Sequence, residues 1–206
     1  MKFSQIFKEK YYNKLLTPNN GNPVRNRADS FLKIFEFLEL KNKNFYTIIE
    51  TGCMRASFGN LCFGDDGCST YLFDEFINHY DGQLLSVDIS KDNCEHAEKM
   101  VSKKTKITVS DSVKFLWDLN IKENIDFVYL DSFDVEIHDP IPSQLHHLKE
   151  LCALINKLNK GTLIVIDDHD AFFTDGKIGK SQYVNKFMED IGAKKYFEGY
   201  QIGWIL

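Results

Sequence analysis

From residue 45 onward, short apolar runs rich in β-branched residues alternate with longer amphipathic stretches, and nothing else in the sequence constrains the fold as strongly. The runs are Tyr46–Glu50 (YTIIE), Gln83–Asp88 (QLLSVD), Lys106–Val109 (KITV), Ile125–Asp131 (IDFVYLD) and Gly161–Asp168 (GTLIVIDD). Their nearly unbroken apolar character suits strands covered on both faces, as in a parallel sheet. Helical stretches are expected at about Ser69–Tyr80, Asp92–Lys103, Asp111–Leu119, Ser143–Leu158 and Lys180–Ile191. Such alternation specifies an α/β chain with right-handed crossovers, wound on both sides of one sheet. Two last runs, Lys195–Glu198 and Gln201–Leu206, are separated only by Gly199-Tyr200. That connection is too brief for the crossover of a parallel pair, so these runs are expected to form an antiparallel hairpin. The strand ending at Leu206 should insert beside the fifth run, with Lys195–Glu198 at the edge.

The first 44 residues read differently, as a helical segment ahead of the domain at 45–206, within a single domain overall. Phe3–Leu16 is a short amphipathic opening, and Thr17–Pro23 (TPNNGNP) is a linker dense in turn formers. In Asp29–Leu40, the residues Phe31, Ile34, Phe35 and Leu38 form a helix's apolar stripe, with Asp29 or Ser30 available as its cap. A length of 206 residues and a hydrophobic share of 43% allow one dense core. The net charge of -5, with Lys and Arg scattered, argues against nucleic acid as a partner. No apolar run approaches the roughly 20 residues that cross a bilayer, and Met1–Leu16 lacks the apolar centre of a signal peptide. Five cysteines (Cys53, Cys62, Cys68, Cys94, Cys152) without a C-x-x-C pair suit reduced thiols. A cytoplasmic protein is expected.

Function enters through the acids. Glu50, Asp88, Asp131 and the pair Asp167-Asp168 end four of the five runs, and Asp111 follows Val109 by two residues. A single acid at a strand end is commonly a turn former or helix cap. Acids at every such end are better explained by the ligand crevice that a doubly wound sheet opens there. Gly52 beside the first strand lets backbone pass close to a ligand, while Ser69 or Thr70 is placed to cap the following helix. The G-x-G-x-x-G spacing of a dinucleotide site is absent after that strand. An acid in place of a phosphate cradle suits a ligand with a positive centre, and Asp88 is placed to accept hydrogen bonds from a ribose diol.

These residues resemble the motifs of class I S-adenosylmethionine-dependent methyltransferases over about Phe45 to Leu206. Glu50-Thr51-Gly52 looks like the family's acidic-x-glycine motif, Ser86-Val87-Asp88 like its ribose-binding acid, and Asp111-Ser112 with Phe115-Leu116 like its adenine-side motif. The resemblance implies a Rossmann-like seven-stranded sheet, mostly parallel with an antiparallel last strand, in the order 3-2-1-4-5-7-6. It also implies S-adenosyl-L-methionine as cofactor, with Glu50, Gly52, Asp88, Asp111, Ser112 and Asp131 on the cofactor side. The loop from Cys53 to Cys68 is longer than the family's glycine-rich turn, which leaves open which of Gly59, Gly64 or Gly67 touches the cofactor.

Asp131, Asp167 and Asp168 end two strands expected to be neighbours, an arrangement similar to the metal-dependent O-methyltransferases of catechols and macrolide sugars. The likeness implies Mg²⁺ on these three acids, lowering the pKa of one of two adjacent acceptor oxygens. His169 and His138 are the candidate general bases. His146 and His147, on a helical stretch, read as surface or packing residues, and Lys177 and Lys180 as parts of a solvated loop. The expected acceptor is a small hydroxylated molecule, a sugar or catechol-like diol. Its recognition falls to the N-terminal helices, the loop after Asp131, or a second subunit in a homo-oligomer. Two other readings stay open: a nucleotide-dependent oxidoreductase, and a non-catalytic binding module on the same fold.

Overall fold

The computed structural model describes residues 1–16, 26–58, 61, 63–172, 174 and 177–206; the linker expected at Thr17–Pro23 lies outside them, as do Gly59, Cys62 and Gly176. Seven strands form one sheet: β1 (Tyr46–Thr51), β2 (Gly82–Asp88), β3 (Thr105–Val109), β4 (Phe127–Leu130), β5 (Leu163–Ile166), β6 (Lys194–Glu198) and β7 (Ile202–Ile205). Their order is β3-β2-β1-β4-β5-β7-β6, as expected. The β1, β2, β3, β4 and β5 ladders are parallel, whereas β7 runs antiparallel to both β5 and β6. The antiparallel β7 counts against the oxidoreductase alternative. No helix among the described residues is long and apolar enough to cross a membrane.

Among the described residues, seven α-helices cover the sheet: α1 (Phe3–Lys10), α2 (Ala28–Leu40), α3 (Ser69–Tyr80), α4 (Lys91–Met100), α5 (Ser112–Asp118), α6 (Ile141–Leu154) and α7 (Gln182–Asp190). The period-2 alternation of the central strands divides their side chains between two cores. Ile48, Phe127, Tyr129, Leu163 and Val165 face a core shared with α1, α2 and α3. Ile49, Val128, Leu130, Ile164 and Ile166 face the opposite core with α5, α6 and α7. Aromatic rings fill the first core: Phe73 lies 5.1 Å from Phe127, Phe35 lies 5.7 Å from Phe76, and Phe31 lies 6.0 Å from Tyr129. Helices α1 and α2 are therefore built into the main core.

Two expected caps are replaced by other contacts. Helix α2 starts one residue earlier than expected, so the side chain of Asn26 accepts from Ala28 N at 3.1 Å, and Asp29 instead accepts from the Tyr12 hydroxyl. At α3, Cys68 precedes the helix with φ 51°, which turns the next two hydroxyls away from the helix end. Ser69 Oγ donates to Glu50 at 2.6 Å, and Thr70 Oγ1 accepts from Met54 N at 3.0 Å.

The end of β1 is held by two residues. Gly52 has φ 79°, and a Cβ there would stand 2.4 Å from the carbonyl oxygen of Asp131. Only glycine lets the backbone after β1 pass against the end of β4. Glu50 is fully buried, with Ser69 and Ser86 each donating to one of its oxygens at 2.6 Å. Burial pushes its carboxyl up to about 7, against the pull of those hydroxyls. The folded state thus holds this proton more tightly than the unfolded chain does. Stability from this group is present below the unfolded value of about 4.3 and is lost as pH rises through about 7.

Glu50→Gln should therefore gain on the wild type by up to about 3 kcal/mol between pH 5 and pH 8 in urea melts; parallel pH profiles would show that Glu50 does not titrate in this window. Gly52→Ala should lower stability by at least about 2 kcal/mol, because a side chain at positive φ is strained and meets the β4 backbone. An unchanged urea midpoint would show that the two strand ends are not in contact.

Candidate active site

A cleft of about 500 Å³ opens where the parallel strands end. Its wall includes Gly52 and Cys53 after β1, Asp88 at the end of β2, Asp131 and Ser132 after β4, and Asp168 after β5. Asp88 is fixed from three sides: its carboxylate accepts from Ser90 N at 2.7 Å, Cys53 N at 3.1 Å and Asn93 Nδ2 at 3.4 Å. Beside it lies a smaller recess of about 180 Å³, lined by Asp88, Asp111, Ser112, Ser132, Phe133 and His146. Asp111 caps α5 by accepting from Lys114 N at 2.8 Å and also reaches this recess.

Asp88, Asp111, Ser112, Gly52 and Asp131 thus meet at one rim, as the strand-end pattern implied. Glu50 does not reach it. Its oxygens are spent on Ser69 and Ser86, so it stands one layer behind Ser69, which does line the cleft. Gly67, with φ 80°, leaves room for the Arg27 side chain, whose Cδ would lie 2.9 Å from a Cβ there. Among the described residues, neither Gly64 nor Gly67 lines the cleft.

The two candidate bases are placed otherwise than expected. His169 is buried, its Nδ1 paired with the Ser181 hydroxyl and its Nε2 3.3 Å from Glu198, away from the cleft wall. Burial lowers its pKa, with Glu198 pulling the other way. It follows Asp168, which has φ 48°, and this left-handed turn carries the next side chain toward the β6 side. His138 lies exposed in the turn closed by the Glu136–Asp139 bridge and outside the cleft wall. His146 lines the smaller recess instead of lying on the surface, with Phe133 5.3 Å from its ring and Ser112 Oγ 2.8 Å from Nε2. His147 is the packing residue expected, wholly buried, with its pKa lowered to about 4 by that burial.

Asp131, Asp167 and Asp168 converge, with one oxygen of each within 4.8 Å of the others. Hard carboxylate oxygens in this number suit a divalent cation by their chemistry. Each, however, already has a donor of this chain against it. Asp167 is fully buried; its Oδ1 accepts from Arg27 Nε at 3.0 Å and Gln201 Nε2 at 2.6 Å, and its Oδ2 accepts from Arg27 Nη2 at 2.6 Å. Lys180 Nζ donates to Asp131 Oδ1 and stands 3.1 Å from Asp168 Oδ2, while the Tyr200 hydroxyl donates to Asp168 Oδ1. Any cation seated among them would stand against the resident Lys180 ammonium and Arg27 guanidinium, so the set as arranged does not fit Mg²⁺.

Arg27 and Lys180 were not legible as site residues. Lys180 is wholly buried instead of solvated, and Arg27 sits just before α2 with its guanidinium 4.7 Å from the Tyr200 ring centre. Burial works against the charge on Lys180, but Asp131, Asp168 and Asp167 outweigh it and raise its pKa. Arg27 behaves alike, with burial opposed chiefly by Asp167. Desolvation opposes the charge on half-buried Asp168, yet Lys180 and Arg27 hold its carboxyl well below the usual range. Burial and neighbouring Asp167 raise Asp131, against the pull of Lys180. Arg55, also unforeseen, projects into the cleft and pairs with Asp134.

No protein-family model matches the sequence, and no curated protein matches it. Solved structures do. A MycE methyltransferase from the mycinamycin biosynthetic pathway, in complex with Mg and SAH, superimposes with a TM-score of 0.65 at 14% identity, over 100% of this chain and 54% of that one. The chain thus spans about half the length of that protein. The O-methyltransferase NovP matches with a TM-score of 0.59 at 14% identity, over 86% of this chain and 79% of that one. At these identities the likeness carries architecture, and the architecture is that of the class I S-adenosylmethionine-dependent methyltransferases.

Proposed function

We propose that the chain is an S-adenosylmethionine-dependent methyltransferase that methylates an oxygen of a small hydroxylated acceptor, a sugar or catechol-like diol. The observation that carries this reading is the acid-lined cleft, with Asp88 standing between the main cavity and the smaller recess. In it, Asp88 takes the ribose hydroxyls, the recess beside Asp111, Ser112 and His146 takes the adenine, and Gly52 lets the methionine end pass close to the backbone. A sulfonium is a cation without phosphate, and a cleft walled by carboxylates attracts it. In the transfer, an acceptor oxygen attacks the methyl carbon, the carbon–sulfur bond breaks with its electron pair passing to sulfur, and the hydroxyl proton must leave.

Asp131 and Asp168 are the cluster members that reach the cleft wall, and of the two Asp131, whose carboxyl is raised by burial and by Asp167, is the one fitted to take that proton. A magnesium ion of the kind bound by MycE would fall to Asp131, Asp167 and Asp168 here. Because Lys180, Arg27 and Gln201 hold those oxygens, no step is routed through a metal. The NovP name supports transfer to oxygen, and the small cleft supports a small acceptor in a partner-free site or one closed by a second subunit.

Calorimetry with S-adenosylhomocysteine tests the reading. The wild type should bind it, and Asp88→Ala, with its circular dichroism unchanged, should bind roughly ten- to a hundredfold more weakly. No binding by the wild type, or equal affinity in the variant, would refute the cofactor assignment. His169→Gln should leave that affinity unchanged while lowering stability by about 1–3 kcal/mol, since it removes a buried hydrogen-bonding group away from the cleft. Lost affinity with full stability would return His169 to the site.

A further inference from the structure

Lys180 is fully buried and does not line the cleft, yet its ammonium touches two carboxylates that do, Asp131 and Asp168. Its backbone is as fixed as its side chain. Lys180 N donates to Asp168 O at 3.1 Å, and Gln144 Nε2 donates to Gly179 O at 3.0 Å. The Gly179 Cα passes so near the chain after β5 that a Cβ would lie 1.8 Å from His169 O. The loop is thus pressed onto the strand end, and Lys180 leaves it pointing beneath the acids. On the far side Arg27 holds Asp167 and lies 3.5 Å from Asp168. Two cations from within the chain thus stand against the three carboxyl groups of the cluster.

We infer that Lys180 is a positioning residue that does the work of a divalent ion: together with Arg27 it neutralises Asp131, Asp167 and Asp168 from within the chain, and the acid cluster operates without metal. A metal ion and this ammonium compete for the same carboxylate lone pairs, and the ammonium is covalently tethered and already dehydrated. Bringing a second cation against a buried one costs far more than at a surface, because the low dielectric magnifies the repulsion. What the cluster then presents to an acceptor is two carboxylate edges, on Asp131 and Asp168, held in place from behind. The role of that edge in methyl transfer rests on the function proposed above; the resident cation does not.

The test uses the full chain, Mn²⁺ as a paramagnetic probe, and melting in EDTA or excess Mg²⁺. The wild type should leave the Mn²⁺ resonance of the free ion undiminished and melt at one temperature in both solutions. Lys180→Met keeps the aliphatic stem and removes the charge. It should melt lower in EDTA, recover in Mg²⁺, and bind one Mn²⁺ per chain, a signal lost again in Lys180→Met/Asp168→Asn. A merely structural lysine would not be rescued by a metal. Stoichiometric Mn²⁺ binding by the wild type that Asp168→Asn abolishes overturns the inference, and that measurement stands even where Lys180→Met fails to fold. A folded Lys180→Met that binds no Mn²⁺ overturns it as well. S-adenosylhomocysteine calorimetry on the same samples keeps the two claims apart: lost cofactor binding with the expected metal results would refute the methyltransferase alone.

Discussion

Three carboxylates in one buried corner repel one another unless positive charge lies beside them, and here that charge is supplied by Arg27 and Lys180. The two cations come from opposite ends of the chain, one just before α2 and one just before α7. Much of the surrounding architecture serves to place them. Gly67 clears space for the Arg27 stem, Tyr200 lies against its guanidinium, and Gly179 brings the Lys180 backbone onto β5. Gln201 links the cluster to the hairpin and the aromatic core, donating to Asp167 and to the Tyr129 hydroxyl, both at 2.6 Å.

This arrangement gives the two sides of the cleft different characters. Around Asp88 the acid is held by backbone and amide N–H groups and faces the cleft. Around Asp131 and Asp168 the acids are held by charges beneath them. On the function proposed above, the first suits neutral hydroxyls and the second a proton acceptor. The sheet brings both to one rim because parallel strands all end on the same side.

The sheet was legible in nearly every element, because buried parallel strands leave a composition that surface helices cannot imitate. Even the antiparallel β7 was legible, from a connection too short for any crossover. The acids at the strand ends were legible for the same reason: topology alone brings them together. What escaped were residues whose role depends on three-dimensional neighbours. Arg27 lies beside a turn-rich linker and Lys180 between glycine and serine, contexts that ordinarily mean solvent. His169 seemed placed for chemistry by its position after Asp168, but the positive φ of Asp168 turns it toward Ser181 and Glu198. Glu50 carries the expected identity at the expected position, and only its packing against Ser69 and Ser86 shows that it stands behind the cleft.

The hairpin order has a consequence for how the molecule assembles. Strand β7 lies between β5 and β6, so β6, although made earlier, has no place in the sheet until β7 has been laid down. Arg27 and Asp167 are separated by 140 positions, and Gln201 must arrive from β7's own approach to complete the shell around Asp167. Contacts of such long range form after local ones, since each must first overcome the entropy of closing a large loop. A ribosome-bound chain that has made β1 through β5 holds its strands without its neutralised corner. The shell of donors around the acids is therefore among the last parts of the molecule to close.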